Sequence, residues 1–103
     1  MELRFTELAE TELREATRYY ANLSPALATL FKTEAETAAR RILAHPNAWT
    51  VERGEIRRFL FNRFPYKLLY AIEPDHIVVL AVAHQHRHPE YWIERIPRVN
   101  DAP

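Results

Sequence analysis

Ile56-Arg57-Arg58-Phe59-Leu60-Phe61-Asn62-Arg63-Phe64-Pro65-Tyr66-Lys67-Leu68-Leu69-Tyr70-Ala71-Ile72-Glu73-Pro74-Asp75-His76-Ile77-Val78-Val79-Leu80-Ala81-Val82-Ala83-His84 is the stretch where the chain changes period. It is dense in Phe, Tyr, Ile and Val, the residues that suit a pleated, half-buried surface. Pro65 and the Glu73-Pro74-Asp75 corner divide it into three runs: Ile56 to Phe61, Tyr66 to Glu73 and His76 to His84. Connections this short predict a three-stranded antiparallel meander.

Upstream, the apolar spacing is helical. Thr6 has the chemistry of an N-cap, and Glu7 behind it suits the positive end of the helix dipole. Ala9, Leu13, Ala16 and Tyr20 then recur on one face, with Glu10, Glu12, Arg14, Glu15 and Arg18 between them. The first helix is predicted to end near Asn22. Ser24-Pro25 offers a second cap followed by a proline at the first helical position. Leu27, Phe31, Ala35, Ala38 and Ile42 form the stripe of a second helix, which Pro46 ends. Glu2 to Phe5 alternates as a short first strand, and Pro46 to Gly54 reads as a loop. Pro89 to Glu94 reads as one further helical turn, and Pro97 to Pro103 as a tail. The expected fold class is α+β, in the order β-α-α-β-β-β. A helical hairpin should pack on a mostly antiparallel four-stranded sheet, with a possible short C-terminal helix.

At 103 residues, with 48% hydrophobic and 12% aromatic side chains, the chain has enough apolar material for one core, so one domain spanning residues 1–103 is expected. Fourteen basic and fourteen acidic side chains cancel, which disfavours a life on bare nucleic acid. Cysteine is absent, so disulfides, thiolate metal ligands and thiol catalysis are excluded. Met1-Glu2-Leu3-Arg4 lacks the basic flank and apolar run of a secretory signal, and Ile77 to Ala83 is too short to span a bilayer. A cytoplasmic protein without membrane contact is expected. A single glycine leaves no glycine-rich phosphate loop, and no cofactor is expected.

The chain resembles the RelE/ParE toxin family, and more closely its ParE-like branch. The residues that carry this are Arg57 through Tyr66, Leu68 through Ile72 and Ile77 through His84, closed by Arg87, Pro89, Tyr91-Trp92 and Arg95. Ala9, Leu13, Ala16, Tyr19-Tyr20 and the segment from Pro25 through Phe31 fit as well. The resemblance implies a toxin neutralised by an antitoxin encoded beside it. It leaves the target open, because RelE-like members cut messenger RNA on the ribosome and ParE-like members inhibit DNA gyrase. The reading carried forward is a non-enzymatic inhibitor of gyrase. The alternative is a ribosome-dependent mRNA endonuclease. A third reading is a toxin fold that has lost toxicity and only binds its partner.

Six basic and three acidic residues lie between Arg53 and Arg87. Arg57, Arg63, Lys67 and Arg87, with Tyr91 and Trp92, are therefore the candidate partner-binding residues; the competing expectation is an ordinary solvated sheet face. Alternation sets Arg57, Phe59, Phe61 and Arg63 opposite Ile56, Arg58, Leu60 and Phe64, so both faces carry large apolar groups. The face away from the helices is either a partner site or is covered by the C-terminal segment with Tyr91 and Trp92. Under the nuclease reading, His84 is the general base and Arg63 and Arg87 hold the scissile phosphate. His84, His86, His88 and Glu90 recur at spacing two, but run in a line that Pro89 interrupts, so no metal site is expected. Tyr19, Tyr20 and Trp49 are expected to be structural.

Overall fold

The computed structural model describes residues 1–87 and 90–95. The first strand, β1 (Glu2–Phe5), leads into α1 (Glu7–Leu23) and α2 (Pro25–Ala44). Four strands follow: β2 (Val51–Arg53), β3 (Ile56–Leu60), β4 (Tyr66–Ile72) and β5 (His76–His84). A single turn, α3 (Glu90–Ile93), comes last among the described residues. The strands form one sheet in the order β1-β5-β4-β3-β2, with β1 parallel to β5 and every other pair antiparallel.

The expected α+β architecture is present, with five strands rather than four. The additional strand is β2, which lies where a loop was expected. Val51-Glu52-Arg53 has no apolar alternation; pairing with Arg57 and Ile56 makes it a strand. Gly54 makes the turn back to β3 at φ +57°, a left-handed conformation that costs glycine little.

Thr6 caps α1 as its chemistry predicts. Its hydroxyl accepts the Ala9 N–H at 3.1 Å and donates to the Leu80 carbonyl at 3.4 Å. Thr6→Ala should therefore lower stability by about 1–2 kcal/mol, with Thr6→Ser retaining most of it, as read from urea unfolding midpoints. Ser24 stands at the start of α2, but its side chain makes no capping bond. Its carbonyl instead accepts Ala28 N–H at 3.3 Å, and its N–H closes α1 on Tyr20 at 2.8 Å. One extended residue thus ends one helix and begins the next. Pro46 follows α2 at once, and the Tyr70 hydroxyl donates to its carbonyl at 2.6 Å. Burial pushes the Tyr70 phenol up to about 12, so the neutral donor persists across the physiological range.

The helical hairpin covers one sheet face. Ala9, Ala16, Tyr20, Phe31, Ala35, Ala38 and Ile42 meet Phe59, Phe61, Phe64, Leu68, Tyr70, Ile77, Val79 and Val82 there. Tyr20, Phe31 and Phe64 pack as an aromatic knot, with ring centroids 4.7–5.2 Å apart. The opposite face carries a smaller cluster: Ile56, Leu69, Ala71, Leu80 and Ala81 under Trp92. A β-bulge helps build it. Leu69 pairs with Ala81 and Tyr70 with Val79, which leaves Leu80 as the extra residue, and Leu80 and Ala81 both join this second cluster. Of the two possibilities for this face, cover by the C-terminal segment is the one found.

Candidate functional site

The sheet edges and the hairpin create two polar grooves. The first lies between α2 and β3, with a volume of about 300 Å³. Leu30, Thr33, Glu34, Thr37, Ala38 and Arg41 of α2 form one wall, and Phe59, Leu60, Asn62 and Arg63 the other. The second lies between α1 and the end of β5, with a volume of about 420 Å³. Glu12, Glu15, Ala16 and Tyr19 face Tyr66, Val82, Ala83, His84 and Arg87 across it.

Strand pairing sets the second groove. Tyr66 and His84 are cross-strand partners, and their rings meet edge-on at 5.7 Å. The His86 ring lies 6.0 Å from that of His84. Burial raises the Tyr66 phenol, and the Tyr19 phenol adds to this. Glu12 closes the groove floor: its carboxylate accepts the Val82 N–H at 3.1 Å and the Arg95 guanidinium at 2.8 Å. Arg95 also donates to the Leu80 carbonyl at 3.2 Å. Because β1 pairs with β5 only as far as Val79, side chains from α1 and the C-terminal segment satisfy the β5 edge beyond it.

The three residues of the nuclease reading fall in two places. His84 and Arg87 line the α1–β5 groove, and Arg63 lines the α2–β3 groove. The expected basic face is also divided. Arg57 is half-buried and donates to the Trp49 carbonyl at 2.6 Å, pinning the loop after α2. Trp49 packs edge-on against Phe59 at 4.7 Å, the structural role expected of it.

Lys67, expected to meet a partner, is 5% exposed. Its ammonium donates to Glu52 at 2.7 Å, and the other Glu52 oxygen takes Arg58 at 3.2 Å. A lysine at an alternate strand position reads as a surface residue, and the acid that holds it sits fifteen residues away on the strand not foreseen. Trp92 is fully buried in the second cluster and offers no open contact surface. The side chains of Tyr91 and Glu90, together with His88, Pro89 and the expected tail, lie outside the described residues. Among the described residues, no three His, Cys, Asp or Glu side chains are grouped to hold a metal ion. No helix among them is long and apolar enough to cross a membrane.

Arg41 and Glu34 were not singled out by sequence reasoning, and Leu60 was named only as part of the strand alternation. Arg41 looks like one more exposed helix residue, and its neighbourhood with Arg63 exists only once α2 lies along β3. Glu34 accepts the backbone N–H groups of Asn62 and Arg63, the latter at 3.1 and 3.2 Å.

A small α+β domain with a helical hairpin on one face of a five-stranded sheet is the architecture expected of the toxin family that the sequence resembles. The sequence model for the ParE toxin of type II toxin–antitoxin systems, parDE, matches residues 3–89. The chain belongs to this ParE toxin family and is a type II toxin of ParE-like rather than RelE-like kind. A chain of the chromosomal ParDE TA system from P. aeruginosa superposes with a TM-score of 0.72. The match covers 82% of this chain and 95% of that one at 18% identity, so the two share a fold. No curated protein sequence matches.

Proposed function

We propose that this toxin acts by binding, that its target is DNA gyrase, and that a cognate antitoxin holds it inactive. The observation that carries this is the separation of Arg63 from His84 and Arg87. An RNase of the kind considered needs a general base and phosphate-holding cations around one scissile bond. Here the base candidate His84 shares its groove with Arg87, but Arg63, the second phosphate-holding candidate, lies in the other groove. Formal neutrality supports the same reading, since gripping ribosomal RNA calls for a basic excess. Membership of the ParE family supports gyrase over the ribosome and implies the antitoxin. For the antitoxin, Leu8, Tyr19, Leu23 and Leu30 stand exposed on the hairpin, apolar surface that an amphipathic segment would cover.

Induction in cells, with DNA supercoiling and mRNA cleavage read separately, tests the reading. Supercoiling should fall while mRNA stays intact. His84→Ala should leave most toxicity, because a binder transfers no proton. Arg63→Glu or Arg87→Glu should weaken it, since like charges across an interface cost several kcal/mol. If His84→Ala instead slows mRNA cleavage by roughly a hundred- to ten-thousand-fold, the nuclease reading replaces this one. Circular dichroism and antitoxin binding show that each variant is folded.

A further inference from the structure

The C-terminal end of α2 and the loop after it enclose a hollow of about 460 Å³, within the range of about 300–1,000 Å³ usual for small-molecule sites. Thr37, Arg41, Ala44 and His45 fall on one stripe of the helix, Arg40 stands beside them, and Trp49 closes the hollow from the loop. Thr37 and Ala44 are small and leave the space that the longer side chains surround. None of Arg63, His84 and Arg87, the residues of the nuclease reading, lines it.

Arg40, Arg41 and His45 are all exposed, and no acid shares the hollow with them. Arg40 donates to the Thr37 hydroxyl at 3.2 Å, which holds its guanidinium along the wall. Neither the Arg41 guanidinium nor the His45 imidazole has an ion pair or hydrogen bond among the described residues. A further cation stands behind the loop, where Arg57 donates to the Trp49 carbonyl at 2.6 Å. Three negative features oppose these charges. Glu34 lies seven residues before Arg41, about 10 Å along the helix axis, where salt screens an exposed charge strongly. It lines the adjoining groove and holds the N–H groups of Asn62 and Arg63. Glu36 makes no ion pair with Arg40 and lines a different hollow beside Lys32. The end of α2 contributes about half a negative charge. Part of that is covered, because the Arg41 carbonyl accepts the His45 N–H at 3.1 Å and the Trp49 indole N–H at 3.4 Å. The guanidinium charges outweigh it.

The same indole bond matters for shape. Trp49 is half-buried and held from two sides, by the Arg41 carbonyl and by the edge-on contact with Phe59. An indole fixed in this way loses little freedom when a flat group stacks on it.

We propose that this hollow binds a phosphorylated nucleoside unit, with the phosphate on Arg40, Arg41 and His45 and the base stacked at Trp49. Guanidinium forks match the oxygens of a phosphate, and every base offers a π-face to an aromatic side chain. An acidic peptide would answer the cations but leave the indole unused. Such a unit occurs both in a free nucleotide and in a single strand, and the test separates the two. Formal neutrality of the chain confines the grip to this one place. The inference does not depend on which cellular target the toxin poisons, and no bond is made or broken.

The test uses the full chain with AMP and a thymidylate hexamer as probes. Adenosine, inorganic phosphate and a capped hexaglutamate are the controls. Calorimetry gives affinities. The chain has two tryptophans and Trp92 is fully buried, so quenching of the solvent-accessible tryptophan emission reports on Trp49. AMP or the hexamer should bind below millimolar concentration and quench, at least about tenfold more tightly than any control. Arg40→Glu and Arg41→Glu should each weaken binding by about tenfold. Arg14→Glu, the same charge change on α1, should alter it by less than about twofold. Trp49→Ala should weaken it by about tenfold, and Trp49→Phe, which keeps a ring against Phe59, should retain most of it. A hexamer that binds more tightly than AMP assigns the site to a strand, and one that binds no more tightly assigns it to a free nucleotide; both uphold the inference. It fails if neither probe binds at millimolar concentration, if any control binds as tightly, if Trp49 emission does not respond, or if Arg14→Glu weakens binding as much as the reversals at Arg40 and Arg41. The arginine variants and Trp49→Phe keep the test open should Trp49→Ala not fold.

Discussion

Trp92→Ala is expected to destabilise the protein by about 3–5 kcal/mol, a large part of the total for a domain of this size. Trp92 is fully buried and fills the second face of the sheet against Ile56, Leu69, Leu80 and Ala81. The helical hairpin lies on the other face and cannot collapse into the space that truncation would leave. One feature reduces the loss. The indole Nε1 is buried with no hydrogen-bond partner among the described residues. An unsatisfied buried donor costs about 1–3 kcal/mol, and alanine removes that penalty along with the packing. The alanine variant should therefore fall toward the lower end of the range. Trp92→Phe, which keeps much of the apolar body and deletes the orphan N–H, should lose much less. Urea unfolding of both variants checks this. A loss below 1 kcal/mol for Trp92→Ala would mean that α3 does not cover this face in solution.

How far the sequence revealed this arrangement depended on how local each signal was. β5 is one continuous β-branched and aliphatic run between a Pro-Asp corner and a histidine, and its ends, His76 and His84, are those predicted. Thr6 could be read as a cap because its partner, Ala9 N–H, is three residues away. The hairpin could be read because Ser24-Pro25 breaks the helical period only briefly. What escaped were features that exist only through pairing. β2 has no apolar pattern of its own, the Leu80 bulge has no glycine or proline to mark it, and Lys67 looks exposed until Glu52 is brought beside it. The candidate site divided in the same way. Arg63 and His84 were identified as noteworthy residues, but alternation along a strand does not reveal that α1 and α2 draw them into different grooves. Arg41 and Glu34 acquire meaning only from the docking of α2 along β3.

Glu52→Ala is expected to cost about 3 kcal/mol, because it strands the Lys67 ammonium. Removing one partner of a buried ion pair costs roughly 3–5 kcal/mol, chiefly through the charge left behind. The Lys67 side chain is 6% exposed and that of Glu52 9%. The lower end of the range applies because the lysine stem is long and the pair lies near the sheet edge, where the ammonium can turn toward water. The pair is not needed for burial as such: Glu52→Leu combined with Lys67→Met should recover most of the loss, since well-packed apolar residues often replace a buried pair without cost. The pH dependence has a definite sign. Burial alone would raise the Glu52 carboxyl, but the hydrogen bonds and charges of Lys67 and Arg58 outweigh it and hold it below its ordinary 4.5. A carboxyl depressed by folding contributes stability that is complete above its unfolded value and is lost as pH falls through the folded one. The wild-type chain should therefore lose the Glu52 contribution only below about pH 4.5. Asp75, lowered by its hydrogen bond and charge interaction with His76, acts in the same direction in every variant. The difference between wild type and Glu52→Gln isolates the one carboxylate: it should be constant from pH 6 to 8 and shrink as the pH falls below about 4.5. A difference that stays unchanged down to pH 3, or that grows, would show that the Glu52 carboxylate does not hold Lys67 in the folded chain.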